Sequence, residues 1–266
     1  MRVTVLGSGS SGGVPLVGCG CAVCISDNPR NKRLRVSIVV ESARTRILVD
    51  ASPDLRAQLL RFGEARFDAV IFTHAHADHM HGIDEIRSIN HAIRAPIDCY
   101  ADAGTLAEAR QRFGYAFGPV ADLPGGHFVV PVLRPVPMRP GEPIRIGDID
   151  LVGFEQMHGG DRTPTLGLRF GPFAYSTDVK SLDDRAFEVL GGVDTWIVDC
   201  LQEAPNWAHS HLDQTLEWIR RVRPRRALLT HMNHRVDYAD WSRRLPAGVE
   251  PAFDGQQIEI QRAFHR

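Results

Sequence analysis

Ala69-Val70-Ile71-Phe72 runs straight into Thr73-His74-Ala75-His76-Ala77-Asp78-His79, so that a short apolar segment ends in three imidazoles and a carboxylate. A buried strand fixes the backbone and lets the loop behind it aim side chains, which is how a rigid sheet edge comes to carry a metal site. His74 and His76 stand two residues apart, so in an extended or tightly turned loop both face one side and can share an ion. Asp78 and His79 fall further along, within reach of a second ion. Mixed imidazole and carboxylate donors suit Zn²⁺ and Mn²⁺, whereas a hard Mg²⁺ or Ca²⁺ site calls for oxygens. The plainer alternative, a polar loop with surface histidines, leaves the spacing of four ligand types at a strand end unexplained.

The HxHxDH pattern of His74, His76, Asp78 and His79 resembles the hallmark of the metallo-β-lactamase superfamily of hydrolases. The resemblance implies three further ligands downstream, and each has a candidate that closes an apolar run. His158 ends the strand-like Leu151 to Met157, Asp178 follows Phe173-Ala174-Tyr175-Ser176-Thr177, and His231 follows Ala227-Leu228-Leu229-Thr230. It implies an α/β fold, a four-layer αβ/βα sandwich over residues 1–266 as one domain. It also implies two divalent ions, Mn²⁺ or Zn²⁺. His74, His76 and His158 would hold the first, Asp78, His79 and His231 the second, with Asp178 bridging. Such a pair shares a water, lowers its pKa and supplies a hydroxide nucleophile near neutrality. Superfamily members carry an Asp at the end of the strand matching Ile47-Leu48-Val49, so Asp50 is expected behind the ligands, orienting a histidine.

Cys19-Gly20-Cys21-Ala22-Val23-Cys24 crowds three thiols too closely for an unstrained disulfide between neighbours two apart. Three thiolates and one imidazole make a closed tetrahedral Zn²⁺ site of the structural kind. The natural fourth ligand is His234, three residues after His231, which makes the stretch at about 19–24 a structural zinc loop; three reduced surface cysteines are the alternative. Cys99 and Cys200 sit in apolar runs and read as core thiols. The CxCxxC loop after Gly12-Gly13-Val14-Pro15, with His231-Met232-Asn233-His234 and Phe253-Asp254-Gly255, resembles the PhnP family, the cyclic phosphodiesterases of the carbon-phosphorus lyase pathway. A pyrroloquinoline quinone biosynthesis family also carries such a loop. On the PhnP resemblance, His211 in His209-Ser210-His211-Leu212-Asp213 lies at the position of the proposed general acid. Imidazole titrates in the useful range, with His209 as the competitor. Asp78 joins His211 in the catalytic set.

The 266 residues suffice for one large layered domain. A 43% hydrophobic and 24% charged composition is ordinary for a globular chain, and a net charge of −1 offers no general attraction to nucleic acid or anionic membrane. No apolar run approaches a membrane span, and Met1 to Leu6 reads as a strand rather than a signal peptide. With thiols suited to metal, a cytoplasmic location is expected. Strands are expected at Arg2 to Leu6, Val36 to Glu41 and Arg46 to Val49, the last two forming a hairpin. Helices are expected at Asp54 to Phe62, Ile83 to Ile93, Thr105 to Phe113, Asp183 to Leu190 and Asp213 to Arg221. Leu123 to Pro143, rich in Pro and Gly, reads as irregular and is expected to border the substrate cleft. The glycines of Gly7 to Gly13 are read as permitting close approach to metals or substrate, since no P-loop ending follows them. Arg87 is a candidate phosphate contact, and the arginines from Arg220 to Arg226 read as a solvated helix end. His81, His91 and His127 are read as ordinary histidines.

The first expectation is therefore a metal-dependent phosphodiesterase acting on a small cyclic or nucleotide-like phosphate ester, with a homodimer left open. A transfer-RNA 3′-processing endonuclease would need an extended basic arm, and the sequence has no such insertion. The cysteine loop points away from a thioester or lactone hydrolase. An accessory role in quinone-cofactor biosynthesis would be favoured by a missing ligand, and none is missing.

Overall fold

The computed structural model describes residues 1–118, 128–160 and 162–261. Apolar residues alternating along short strands build two seven-stranded sheets. In the first, the order is β14 (Gln257–Glu259), β1 (Arg2–Gly7), β2 (Ser37–Glu41), β3 (Arg46–Val49), β4 (Ala69–Ile71), β5 (Ile97–Ala101) and β6 (Leu133–Pro137). In the second it is β13 (Val249–Pro251), β12 (Arg226–Thr230), β11 (Thr195–Asp199), β10 (Phe173–Ser176), β9 (Thr163–Phe170), β8 (Ile149–His158) and β7 (Pro143–Ile146). The helices are α1 (Ala22–Ile25), α2 (Leu55–Phe62), α3 (Ala77–Met80), α4 (Ile86–Ile93), α5 (Ala103–Arg112), α6 (Asp184–Leu190), α7 (Leu212–Val222) and α8 (Tyr238–Arg244).

Period-two alternation sorts the side chains into layers. Ile38, Val40, Ile47 and Val49 pack with Leu168, Phe170, Tyr175 and Ile197 of the other sheet, so this cluster fills the space between the sheets. Val39, Leu48 and Val70 point the opposite way, onto Leu55, Leu59, Ile86 and Ile89 of α2 and α4. Trp196, Val198 and Leu229 do the same on the second sheet, against Ala186 and Leu190 of α6, Trp218 and Ile219 of α7 and Trp241 of α8. Helices thus cover the outer face of each sheet, giving the αβ/βα sandwich. Burial at about 1.5–3 kcal/mol for each large apolar side chain makes these three clusters the main source of cohesion.

Strands β3 to β6 run parallel, as do β10 to β13. Their carboxyl ends and the loops that follow carry Asp50, the His74 to His79 run, Asp178, Asp199 and His231, the usual place for a site on parallel strands. Leu166 N–H of β9 donates to the Thr73 carbonyl at 2.9 Å, which joins the ligand loop of one sheet to the other.

Several expectations need correction. Leu123 to Pro143, read as irregular, contains β6 paired in parallel with β5. Pro135 and Pro137 masked it, and a sheet edge is where such a strand tolerates proline; residues 119–127, including His127, lie outside the described residues. The glycine loop approaches backbone rather than metal ligands. A Cβ at Gly7 would stand 2.0 Å from the Arg35 carbonyl oxygen, and one at Gly9 2.9 Å from that of Arg33. Arg87 donates to the Val129 carbonyl at 3.2 Å. The basic helix end is solvated as read, and its arginines make surface pairs, Arg221 with Asp184, Arg225 with Asp194 and Arg226 with Glu250.

Candidate metal centre

All seven expected ligands converge. Asp78, His79, Asp178 and His231 form one group of donor atoms within 4.8 Å of one another, and His74, His76 and Asp178 form another. Asp178 belongs to both. His79 Nε2 lies 2.9 Å from Asp178 Oδ2 and 3.4 Å from Asp78 Oδ2, and His231 Nε2 lies 3.3 and 3.4 Å from the same two oxygens. On its other oxygen, Asp178 faces His74 Nε2 at 3.9 Å and His158 Nε2 at 3.7 Å.

The rings of His79 and His158 are held from behind. Asp50 Oδ2 sits 2.7 Å from His79 Nδ1, and Thr73 donates to the Asp50 carboxylate through both N–H and hydroxyl. The Ala208 carbonyl lies 2.8 Å from His158 Nδ1. The backbone is left-handed at three of these residues, with φ of 63° at Asp50, 49° at Asp178 and 57° at His231. Non-glycine residues hold that region at a cost, and such strain gathers at functional sites. Gly82, after α3, closes the loop: a Cβ there would stand 1.9 Å from the Ser52 carbonyl oxygen, while its N–H donates to Ala51.

Charge tests whether divalent cations fit. Burial works against ionising Asp178, but His231 and His79 outweigh it and hold its carboxyl well below the usual range. Burial likewise opposes charge on His79, yet Asp178, Asp78 and Asp50 push it well above an ordinary imidazole. Burial lowers His74 and His76, and takes His158 down to about 4, leaving these rings neutral as ligation requires. Buried Nε2 of His74 and of His79 and Nδ1 of His231 have no hydrogen-bond partner among the described residues. A buried excess of carboxylate beside imidazole nitrogens that lack hydrogen-bond partners is a donor set suited to divalent cations.

Two residues enter that the sequence reading ranked low or missed. His209, weighed there only as a competitor, packs its ring 4.4 Å from that of His158 and 4.5 Å from that of His231. Its Nδ1 lies 2.9 Å from Asp199 Oδ2; burial opposes its charge, but Asp199 and Asp178 raise it to about 9. Asp199 was missed, although it closes the apolar run Trp196-Ile197-Val198 in the same manner as the other site residues. His211, expected as proton donor, caps the start of α7 and is not among the groups converging on Asp178; its buried Nδ1 has no partner among the described residues.

The three cysteine sulfurs also converge, with Cys24 buried and accepting from the Leu16 N–H at 3.3 Å. The His234 carbonyl oxygen accepts from Cys21 Sγ at 3.5 Å, and the His234 ring is not among the donors that converge there. The turn after His231 presents main chain to the thiols. Cys99 and Cys200 are fully buried, as core thiols should be.

A family model for the beta-lactamase superfamily domain matches residues 45–232, the span that carries every strand-end ligand. The chain belongs to the beta-lactamase superfamily. Its fold is the metallo-β-lactamase sandwich, and this family and fold are those of metal-dependent hydrolases. The crystal structure of a new diphosphatase from the PhnP family is similar to it, with 33% identity, a TM-score of 0.89 and 98% of each chain covered. Zn²⁺-bound PqqB from Methylobacterium extorquens shares the fold at 20% identity and a TM-score of 0.75, covering 98% of this chain and all of that one. An octanoyltransferase of Porphyromonas gingivalis is 33% identical over 265 residues, 98% of this chain. The superfamily chain spans about half, 52%, of the length of that relative, whose name is that of the whole protein. No helix among the described residues is long and apolar enough to cross a membrane.

Proposed function

We propose that this protein is a metal-dependent phosphodiesterase that hydrolyses a small cyclic or nucleotide-like phosphodiester. The observation that carries the reading is the shared position of Asp178, which allows one cation on His74, His76 and His158 and another on Asp78, His79 and His231. When bound, such a pair acidifies water and neutralises phosphoryl oxygens as charge develops. The chain's own part is orientation. Asp50 holds His79, the Ala208 carbonyl holds His158 and Asp199 holds His209, so the rings are set before substrate arrives. Among the seven ligands only His76 is exposed, so substrate enters on its side. An alkoxide leaving group needs a proton, and we assign it to His211, whose ring has no hydrogen bond at Nδ1 among the described residues, whereas Asp199 occupies that of His209. A structural Zn²⁺ on Cys19, Cys21 and Cys24 belongs to the same proposal, with His234 as fourth donor if its ring turns to the thiols. A cytoplasmic setting that keeps those thiols reduced fits this reading.

A second reading is favoured by the neighbour described as a diphosphatase. Phosphoanhydride cleavage uses the same residues on a similar phosphorus centre and differs in its leaving group, a phosphate that needs little protonation. The test is protein loaded with Mn²⁺ or Zn²⁺ and assayed on bis(p-nitrophenyl) phosphate, a ribose cyclic phosphate, a nucleoside diphosphate, a thioester, a lactone and a transfer-RNA precursor. The diesters are expected to turn over fastest, the activity to vanish with chelator and the RNA to be a poor substrate. Diphosphate cleavage alone would select the second reading, and preferential thioester or lactone cleavage would overturn both.

A further inference from the structure

Of the chain's four tryptophans, Trp196, Trp218 and Trp241 are buried, whereas Trp207 is 72% exposed. Leaving that much aromatic surface in water forgoes a large burial term, and it is the position of this indole that gives the exposed face a use. It stands two residues before His209 in one turn. Its Cε3 lies 3.6 Å from where a side chain would begin at Gly160, two residues after His158 in the facing turn. His158 and His209 both belong to the donor group around Asp178, so the indole sits on the rim of the metal centre.

The turn carrying it is held firmly. Asn206 Oδ1 accepts from the Ala208 and His209 N–H groups at 2.8 and 3.1 Å, and Lys180 Nζ donates to the Asn206 carbonyl at 2.8 Å. The Ala208 carbonyl accepts from Gly159 N–H at 3.1 Å while facing His158. The exposed ring therefore projects from a backbone fixed on both sides, which lowers the ordering cost of binding. Resting on the proposed phosphodiester chemistry, we infer that Trp207 is a specificity residue: it stacks the planar heterocycle of a nucleoside-bearing phosphate ester while the phosphate lies at the metal centre. An indole face stacks on any base, so such a platform selects for a heterocycle without choosing among them.

The test uses metal-loaded protein and its Trp207→Ala and Trp207→Phe variants. Turnover of a nucleoside 2′,3′-cyclic phosphate is compared with that of glycerol 1,2-cyclic phosphate, which has no ring. The wild type is expected to prefer the nucleoside ester in kcat/KM, and Trp207→Ala to cut that preference about 5- to 100-fold, through KM, as the loss of one stacked base would. Trp207→Phe should keep most of it. A binding arm stands apart from catalysis: a nucleoside 5′-monophosphate should quench indole fluorescence in the wild type, and calorimetry should show weaker binding to Trp207→Ala, while ribose 5-phosphate binds both alike. If no ester is hydrolysed but the nucleotide still binds through Trp207, the phosphodiesterase reading fails and the platform stands. An unchanged preference in Trp207→Ala, or equal binding of the nucleotide to both proteins, would overturn the inference.

Discussion

At Asp178 a left-handed backbone, φ 49°, turns a carboxylate back toward five imidazoles, and Thr177 braces it by donating to Oδ2 at 2.8 Å. The same local economy separates the two histidines after β11. His209 is clamped by Asp199 and packed between His158 and His231, so its removal should loosen ligand rings and lower metal occupancy. His211 touches none of those groups, so His211→Ala should retain the metals and lose kcat by roughly 10² to 10⁴, the usual range for general acid catalysis. That loss should shrink for p-nitrophenolate, which leaves without a proton. Metal analysis beside a leaving-group series checks both variants. The reverse pattern, metals kept and leaving-group dependence appearing only in His209→Ala, would move the proton to His209. The PhnP resemblance pointed to His211 over His209, and a position in the sequence cannot register that a carboxylate on a neighbouring strand holds one ring and not the other.

At the scale of elements, strand ends were legible because a buried strand must be apolar and a ligand after it cannot be. That contrast marked His74 to His79, and the superfamily resemblance led from them to His158, Asp178, His231 and Asp50 at further strand ends, all of which the fold gathers. Asp199 carries the same signal and was passed over, and β6 was hidden by its prolines. The closure between the glycine loop and the C-terminal turn was not legible either, since it depends on contacts between distant segments. Asp254, before β14, accepts from Ser8 N–H and hydroxyl at 3.0 and 2.9 Å and from Leu34 N–H at 2.7 Å. Burial, only partly offset by those donors and Arg61, raises its carboxyl from 3.8 to about 6. Because the folded value exceeds the unfolded one, its stabilising contribution is complete below 3.8 and is lost as pH rises through about 6. The shift of 6 − 3.8, about 2 units, corresponds to roughly 3 kcal/mol. Urea unfolding of wild type and Asp254→Asn, both with chelator, should show the wild-type advantage shrinking by that order from pH 4 to pH 7. A gap that stays constant over this range would mean that Asp254 is ionised in the fold throughout.

Across the whole molecule, Asp50, Asp78, Asp178 and Asp199 are buried at one junction between the two sheets, together with the histidines they face. That charge is balanced incompletely by imidazolium alone, so cations at the junction should bind the folded chain far better than the unfolded one and stabilise it. A cation present at 100 times its Kd adds about 2.7 kcal/mol, enough to dominate the melting behaviour of a domain this size. Elemental analysis of purified protein is expected to find about three ions per chain. Chelator should withdraw two of them first, through the open side at His76, with a fall in Tm. The third, on Cys19, Cys21 and Cys24, should resist, since a closed thiolate site is bound with the folding energy of its loop. Cys21→Ser should lower the count to two and reduce stability before it alters turnover, because the loop packs through its own small cluster of Val14, Val23 and Cys24 rather than through the ligand histidines. One ion in total would remove the paired centre. Two ions that both leave together under mild chelation would keep that pair and remove the structural zinc, and would leave the His234 carbonyl contact with Cys21 as an ordinary feature of the turn.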